Sequence, residues 1–232
     1  MDYRVEQKYF VTEEQIAYLL TSLVPLVSLD SHITGASYVV RSVYFDDMYD
    51  TCLFENENGS DDREKFRIRT YNNNSDMIHL ELKSKKHGFT AKKSVEISKE
   101  EADILLEKGT IFRSGERNEN DGNSYLKDKI SSEMIYRQLR PVCIVEYERT
   151  AFVDPLGNVR VTFDRNIGCC NNVEEFFDEY PQMVPVLPSG RHILEVKYDE
   201  ILPDYIKEVL DGVNLKKTAF SKYYYGRMQN ML

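Results

Sequence analysis

Apolar and polar residues alternate along much of this sequence, in short segments that are separated by turn-forming residues. Period-two alternation with many β-branched and aromatic residues is typical of strands that bury one face. The pattern predicts eight strands, at residues 3–11, 38–46, 65–71, 77–85, 90–97, 143–153, 159–164 and 193–198. The turn-rich sequence NNNSD at 72–76 joins the third and fourth of these strands, which predicts a hairpin.

Helical spacing of apolar residues replaces this alternation in five segments, at residues 16–24, 99–106, 125–139, 203–212 and 221–231. Thr12 is a candidate N-cap for the first helix, and Ser98 with Glu101 matches a capping box before the second. Short turns between strands, with helices interspersed, indicate an α+β fold. We expect an antiparallel eight-stranded β-barrel with helices packed on the outside, as a single domain over residues 1–232.

Sorting each predicted strand by parity gives one charged face and one apolar face. The charged face carries Arg4, Glu6, Lys8, Lys65, Arg67, Arg69, Tyr71, Glu81, Lys83, Lys85, Lys92, Ser94, Glu96, Tyr147, Arg149, Arg160, Thr162, Asp164, Glu195 and Lys197. The apolar face carries Val5, Tyr9, Phe66, Ile68, Ile78, Leu80, Leu82, Val95, Ile97, Val159, Val161, Phe163, Leu194 and Val196.

A charged face on a single strand is usually a solvated surface. Repetition on seven strands of a closed barrel would instead place these charges inside, where unpaired ions cost several kcal/mol each. Such an interior must hold water, counter-carboxylates or a polyanion such as a metal-bound phosphate chain. From parity alone, a phosphate-like ligand and a salt-bridged core remain equal alternatives.

Composition narrows the possible partners of this face. The formal net charge of −9 over 232 residues argues against nucleic-acid binding, so an anion site would be a local concentration of cations. No apolar run reaches the roughly 18 residues of a membrane span, and the N-terminus lacks a signal-peptide pattern, so we expect a cytoplasmic protein. The cysteines, at positions 52, 143, 169 and 170, lack the spacing of a metal cluster.

Nine short motifs follow one another in an order that resembles a known family. They are E-x-K-Y at 6–9, S-V-Y-F-D at 42–46, F-R-I-R-x-Y at 66–71, L-E-L-K at 80–83, K-S-V at 93–95, E-Y-x-R at 146–149, V-R-V-T-F-D at 159–164, L-E-V-K at 194–197 and F-S-K-Y at 220–223. The series resembles the VTC domain, the polyphosphate polymerase branch of the triphosphate tunnel metalloenzymes, which are related to CYTH phosphatases. The sequence contains no SPX domain and no membrane anchor, so we expect a stand-alone, bacterial-type member.

The resemblance implies an eight-stranded tunnel in which the γ-phosphate of ATP is transferred to polyphosphate with Mn²⁺ or Mg²⁺. The implied catalytic cations are Lys8, Arg67, Arg69, Lys83, Arg149, Arg160 and Lys222. Tyr147 and Ser221 are implied as neutral substrate contacts, and the polar-face lysines Lys92 and Lys197 are added to them. Glu195 matches the metal-binding carboxylate, and Glu6 on the same face is added as a second. ATP and polyphosphate are the expected partners; a membrane partner for export is left open.

Three departures from the family pattern keep alternatives open. Glu96 and Ala219 stand where eukaryotic members carry lysines, and Lys92 and Lys217 are the candidates to replace them. Arg4 occupies the first glutamate position of the CYTH hydrolases, which weakens a second metal site. A tripolyphosphate or organic triphosphate hydrolase, and a non-catalytic polyphosphate- or nucleotide-binding module, are therefore the alternatives to a polymerase.

Overall fold

A computed structural model of the chain describes residues 4–30, 35–87, 89–111 and 122–229, without the side chains of residues 4 and 122–124. The strands are β1 (Arg4–Thr12), β2 (Ser28–Leu29), β3 (Tyr38–Asp46), β4 (Arg63–Tyr71), β5 (Asn74–Lys86), β6 (Phe89–Ile97), β7 (Arg140–Asp154), β8 (Val159–Cys170), β9 (Val184–Pro185), β10 (Arg191–Asp199) and β11 (Lys216–Lys217). The helices are α1 (Glu13–Leu23), α2 (Thr51–Glu57), α3 (Lys99–Leu106), α4 (Gly122–Tyr136), α5 (Asp204–Asp211) and α6 (Lys222–Gln229).

All eight predicted strands and all five predicted helices are present within the described residues, and residues 3, 230 and 231 of these predictions lie outside them. The structure adds three strands of two residues each, β2, β9 and β11, and the helix α2. We predicted no helix at 51–57 because the segment TCLFENE is short and shows no clear helical periodicity. Its first turn is instead stabilised by a carboxylate from the preceding strand, as described below.

The order of hydrogen-bonded strands is β11-β1-β10-β8-β7-β3-β4-β5-β6, with β2 paired to β7 and β9 paired to β8. The strand pairs with a defined register are antiparallel, which confirms the predicted α+β fold. Within the described residues β6 and β11 form the two ends of this order, so the predicted closed eight-stranded barrel is not observed as a continuous ladder. Closure would require a hydrogen-bonded partner on the outer edge of each end strand.

Contacts divide the chain into two compact units. The first unit consists of Met1–Val39, Tyr147–Gly168 and Pro185–Phe220, and the second of Val40–Glu146, Cys169–Val184 and Ser221–Leu232. None of the described helices is long and apolar enough to cross a membrane.

The core of the first unit forms between the apolar strand face and helices α1 and α5. Val161, Phe163 and Leu194 from the strands pack in one cluster with Ile16 of α1 and Ile206 of α5, and all five are buried. Thr12 caps α1 as predicted: its hydroxyl accepts a hydrogen bond from the Gln15 N–H, and the Gln15 side chain accepts one from the Thr12 N–H. This reciprocal pair fixes where β1 ends and α1 begins.

The core of the second unit has the same plan. Phe66, Ile68 and Leu80 pack against Leu105 of α3 and Ile130 of α4. The predicted capping box of Ser98 and Glu101 is also present at the start of α3. In both units the predicted apolar face is therefore the helix-covered face, with the exception of Val5, which is 37% exposed.

A partly buried ion pair interrupts the apolar face of the second unit. Arg41 on β3 is 1% exposed, and its Nε lies 2.6 Å from a carboxylate oxygen of Glu146 on β7. The same guanidinium donates hydrogen bonds to the carbonyls of Phe176 and Asp178, at 3.0 and 2.6 Å. Arg41 thus ties the segment after β8 to the sheet, which explains why an acid occurs among apolar positions of β7.

Candidate functional site

In the second unit, Arg67 is the centre of a cross-strand row on the polar face. It lies opposite Tyr44 on β3 and opposite Glu81 on β5. Its Nε donates to Glu81 at 2.6 Å, and one terminal nitrogen donates to the Tyr44 hydroxyl at 3.2 Å. Three antiparallel strands thereby fix the arginine by register, and period-two geometry turns Phe66 and Ile68 to the opposite face.

Glu81 is shared by three cations. Its carboxylate lies 2.6 Å from Arg67 Nε, 3.8 Å from Arg69 Nη1 and 2.9 Å from Lys92 Nζ. Burial alone would raise the pKa of Glu81, but Arg67, Arg69 and Lys92 outweigh it, so the pKa is strongly lowered. The carboxylate therefore stays ionised and holds these cations in place.

The next row along these strands contains both cationic and acidic groups. Arg69 is 7% exposed and donates to the Ser42 hydroxyl at 3.1 Å. Its partners across the ladder are Ser42 on β3 and His79 on β5, and His79 in turn lies opposite Glu96 on β6. Glu96, the acid that departs from the family pattern, is therefore placed at the Arg69 end of this face, where it is exposed.

The row on the other side of Arg67 is uniformly basic. Lys65, Lys83 and Lys92 lie opposite one another on β4, β5 and β6. The face thus changes from three lysines to Glu96 over three successive rows, whose middle row contains Arg67 and Glu81.

Helix α6 brings motif residues to this unit. Ser221 caps the helix, since its hydroxyl accepts the Tyr224 N–H at 3.3 Å, and Lys222 is the first helical residue. Tyr223 packs its ring against Tyr44 and donates its hydroxyl hydrogen to Asp46. Asp46 and Tyr223, which belong to two of the nine motifs, are therefore structural partners.

Asp46 also accounts for helix α2. It is fully buried, and its carboxylate accepts the backbone N–H groups of Cys52 and Leu53 at 2.8 and 3.1 Å. A carboxylate at a helix N-terminus satisfies unpaired amides and complements the helix dipole. Arg227 of α6 approaches the same carboxylate at 3.9 Å and pairs with Asp50 at 2.7 Å.

In the first unit, two carboxylates and two lysines alternate across β1 and β10. Glu6 lies opposite Lys197, and Lys8 lies opposite Glu195. Lys8 Nζ lies 3.0 Å from Glu6 and 3.6 Å from Glu195, and Lys197 Nζ lies 2.8 Å from Glu195 and 3.7 Å from Glu6. Burial opposes the charge of Lys8, but Glu195 and Glu6 outweigh it and raise its pKa.

Two arginines of the first unit each have a buried carboxylate partner. Arg149 holds Asp164 through two hydrogen bonds of 2.6 and 2.8 Å, and its guanidinium lies 5.1 Å from the centre of the Tyr147 ring. Arg160 lies 2.8 Å from Asp30 and donates to the Tyr38 hydroxyl at 3.4 Å. A bidentate pair matches the planar fork of arginine, so Arg149 is fixed in orientation.

A surface cavity of about 350 Å³ adjoins the alternating cluster of the first unit. It is lined by Glu6, Gln7, Lys8, Lys217, Thr218 and Ala219. Lys217, one of the two predicted substitutes for missing lysines, therefore lines the same cavity as Ala219. The cavity offers a route to Glu6 and Lys8 from solvent.

A comparison with known families assigns the chain. The VTC domain family matches residues 3–230. The chain belongs to this family. No curated protein matches the sequence of this VTC domain.

Solved structures show a similar fold at low identity. A Bacillus halodurans protein, provisionally assigned as an adenylate cyclase, has 17% identity and a TM-score of 0.53, with 95% of this chain and 94% of that chain covered. A Vibrio parahaemolyticus protein with the same provisional assignment has 12% identity and a TM-score of 0.49, with 97% of each chain covered. The family match makes this VTC domain a member of the triphosphate tunnel family. The Bacillus structure shows that the two proteins share a fold.

The predicted site residues of the VTC domain fall into two groups. The first unit contains Glu6, Lys8, Tyr147, Arg149, Arg160, Glu195 and Lys197, and the second contains Arg67, Arg69, Lys83, Lys92, Ser221 and Lys222. Glu6, Lys8, Glu195 and Lys197 form one ion-pair cluster, and Arg67, Arg69 and Lys92 share Glu81.

Some residues of these clusters were missing from the predicted site. Glu81 and Asp164 were assigned to the polar face without a specific partner, and parity on β5 and β8 gave the signal for them. Asp30 and Tyr38, the partners of Arg160, had no signal, because they reach the arginine only through long-range folding.

The metal implied by the family can be tested against the donor set. Glu6 and Glu195 lie on neighbouring strands and share the same two lysines, so their carboxylates face one region. No group of three or more acidic, histidine or cysteine ligands occurs among the described residues. Two carboxylates suit Mg²⁺ or Mn²⁺ that takes its remaining ligands from water and substrate phosphates, so the residues fit the metal.

Proposed function

We propose that this VTC domain is a metal-dependent polyphosphate polymerase that transfers the γ-phosphate of ATP to a growing polyphosphate chain in the cytoplasm. The observation that supports it most strongly is the family match over residues 3–230, joined to the family's cations on one face of the strands. Arg67, Arg69, Arg149 and Arg160 each contact a neighbouring carboxylate, which keeps them ordered before substrate binds.

The proposed reaction needs alignment more than proton transfer. A terminal oxygen of the polyphosphate chain attacks the γ-phosphorus, and the bond from that phosphorus to the β,γ-bridging oxygen breaks, so ADP leaves with the electron pair. The attacking oxygen is already ionised, so no catalytic base is required. Fixed cations then disperse the charge of the transferred group, which is the main protein contribution in phosphoryl transfer.

Individual residues have distinct parts in this mechanism. In the second unit, non-bridging phosphate oxygens would be bound by Arg67, Arg69 and Lys83. In the first unit, they would be bound by Arg149, Arg160 and Lys8. Glu195 and Glu6 would hold Mn²⁺ or Mg²⁺, which neutralises charge on phosphate oxygens when bound. Lys222, Lys92 and Lys197 would contact substrate at the edges, with Tyr147 and Ser221 as neutral contacts.

One experiment separates the polymerase from its alternatives. The purified protein is incubated with ATP and Mn²⁺, and ³¹P NMR follows internal-chain phosphates, free phosphate and cyclic AMP. Internal-chain signals support the polymerase, free phosphate alone supports a hydrolase, and cyclic AMP supports the activity assigned provisionally to the Bacillus protein. If none of these products forms, the result supports a non-catalytic binding module.

Two variants and two matched controls sharpen this experiment. Arg67→Ala and Glu195→Ala should each abolish turnover, because each removes a charge that binds the transferred phosphate or its metal. Arg191→Ala and Glu200→Ala change the same residue types at exposed positions and should retain activity. Full activity in Arg67→Ala or Glu195→Ala, with circular dichroism showing intact folds, would contradict the assignment.

A further inference from the structure

Five cations occupy two adjacent cross-strand rows at one end of the polar face in the second unit. Arg63 lies opposite Lys85, and in the next row Lys65 lies opposite Lys83, which lies opposite Lys92. Like charges directly opposite each other in a sheet are destabilising. These rows are therefore unfavourable for the free protein unless an anion compensates them.

The nearby carboxylates compensate these cations only in part. Lys85 lies 3.7 Å from Asp61, a pair in which both side chains are substantially exposed and which contributes little. Lys92 reaches out of its row to Glu81 at 2.9 Å, but Glu81 is already shared with two arginines. Asp46 of β3 and Glu55 of α2 also act electrostatically on Lys65.

Lys65 contacts neutral groups in the described structure. Its ammonium donates to the side-chain oxygen of Asn56 at 2.9 Å and lies 4.8 Å from the centre of the Tyr223 ring. Both contacts fix the position of the ammonium group, and a cation–π contact adds modest attraction. Neither contact neutralises its charge.

The charges that face Lys65 are mixed. Burial, together with Arg63 and Lys83, lowers the pKa of Lys65 to about 8, while Asp46 of β3 and Cys52 of α2 oppose this shift. The protein thus keeps a lysine ordered where its charge is unfavourable. A bound anion would reverse this balance, because its charge is opposite to that of the whole row.

We propose that Lys65 binds a phosphate group, together with Lys83 and Lys92, in a subsite next to that of Arg67. This inference deepens the proposed function and rests on it for the class of ligand, a linear chain of phosphates. Lys65 lies outside the motif at 66–71, so the family resemblance assigned it no role. The basic row extends the anion site toward Arg63, whereas Glu96 bounds it at the Arg69 end.

Calorimetry with sodium tripolyphosphate tests the subsite without requiring turnover. Wild type, Lys65→Met, Lys65→Arg and the control Lys93→Met are titrated at pH 7 and pH 9, both in EDTA and with Mn²⁺. Lys93 is on β6 and follows Lys92, but its side chain lies on the opposite face of the strand, with its ammonium 4.3 Å from the Tyr125 ring centre. Lys93→Met therefore removes one positive charge, as Lys65→Met does, without changing the polar face.

At pH 7, Lys65→Met should bind tripolyphosphate about tenfold or more weakly than wild type, the value for one charge-assisted hydrogen bond. Lys93→Met should bind nearly as wild type. Lys65→Arg should retain affinity, and the ratio of its affinity to that of wild type should increase from pH 7 to pH 9. Titration of the ligand cancels in this ratio, since both proteins bind the same anion.

A further readout is the thermal stability of the free protein. Lys65→Met should melt at the same temperature as wild type or higher, because it removes an unfavourable charge. Equal affinity of Lys65→Met and wild type would overturn the subsite while leaving the polymerase proposal intact. Absence of tripolyphosphate binding by wild type would overturn both, and binding without polymer synthesis in the NMR assay would overturn only the proposed reaction.

Discussion

Replacing Glu81 with glutamine tests whether this carboxylate holds the cations of the second unit. Glu81→Gln keeps the shape of the side chain but removes the charge that Arg67, Arg69 and Lys92 share. The three cations would then repel one another around a neutral amide. We therefore expect a large loss of stability in the free protein.

The size of this loss of stability follows from how far Glu81 and its cationic partners are buried. Breaking a buried ion pair by removing one member costs roughly 3–5 kcal/mol. The Glu81 side chain is 2% exposed, but Arg67 and Lys92 are 17% and 53% exposed, so solvent screens part of the repulsion. We expect a loss of about 3 kcal/mol, which lowers the melting temperature by about 6–12 °C in a chain of this size.

The difference in stability between wild type and Glu81→Gln should depend on pH, and its sign follows from the pKa of Glu81. Since the folded protein lowers the pKa of Glu81, the stabilisation is fully present above the ordinary pKa of 4.5. It is lost as the pH falls through the lower folded pKa. The stability gap between wild type and Glu81→Gln should therefore narrow below pH 4.5.

The assay is thermal unfolding with and without tripolyphosphate. In Glu81→Gln the phosphate chain takes over the role of the missing carboxylate, so the ligand should raise the melting temperature more than it does in wild type. Glu64→Gln on the neighbouring strand β4 is the matched control. Glu64 pairs with Lys129 at 2.6 Å with partial exposure, so its loss should cost under about 1 kcal/mol.

Two results would refute this reasoning. If Glu81→Gln melted within a degree of Glu64→Gln, the shared carboxylate would not be holding the cations. If Glu81→Gln were destabilised but gained no more from tripolyphosphate than wild type, phosphate would not replace the carboxylate at these arginines.

Three further predictions concern other parts of the molecule. Glu96→Lys should increase tripolyphosphate affinity and steepen its salt dependence in calorimetry, because it replaces an acid beside the Arg69 row with a cation; unchanged affinity would place Glu96 outside the anion's path. Tyr223→Phe should cost about 1–2 kcal/mol in urea unfolding, because it removes a hydrogen bond to a buried carboxylate, whereas the more exposed control Tyr224→Phe should cost less; equal losses would refute the structural role. Burial lowers the pKa of His192, so wild type should lose stability relative to His192→Gln as the pH falls below 6.5, and parallel pH profiles would contradict this.

Sequence periodicity predicted the faces of the strands because it depends only on local geometry. Phe66 and Ile68 are buried, while Arg67 and Arg69 share the opposite face, as alternation requires. The caps at Thr12 and Ser98 were equally predictable, since both hydrogen bonds of a capping box lie within four residues.

The ion-pair and hydrogen-bond partners of individual residues could not be predicted in the same way. Arg160 pairs with Asp30, a residue far away in sequence that lies on no predicted strand. Helix α2 was missed for a similar reason: its amides are satisfied by Asp46 from the preceding strand rather than by a residue of its own. The first contact depends on tertiary packing and the second on a side chain six or seven residues before the amides that it accepts, and hydrophobic periodicity carries no information about either.

The internal carboxylates reconcile an anion site with a net charge of −9. Arg67 contacts Glu81, Arg149 contacts Asp164 and Arg160 contacts Asp30. Each carboxylate offsets part of the cost of desolvating its arginine and fixes the guanidinium. A phosphate chain carries more charge and more acceptor oxygens than one carboxylate, so it can join these pairs without displacing them. Acidic residues beside the arginines are therefore compatible with anion binding, and they keep the cations ordered when no anion is bound.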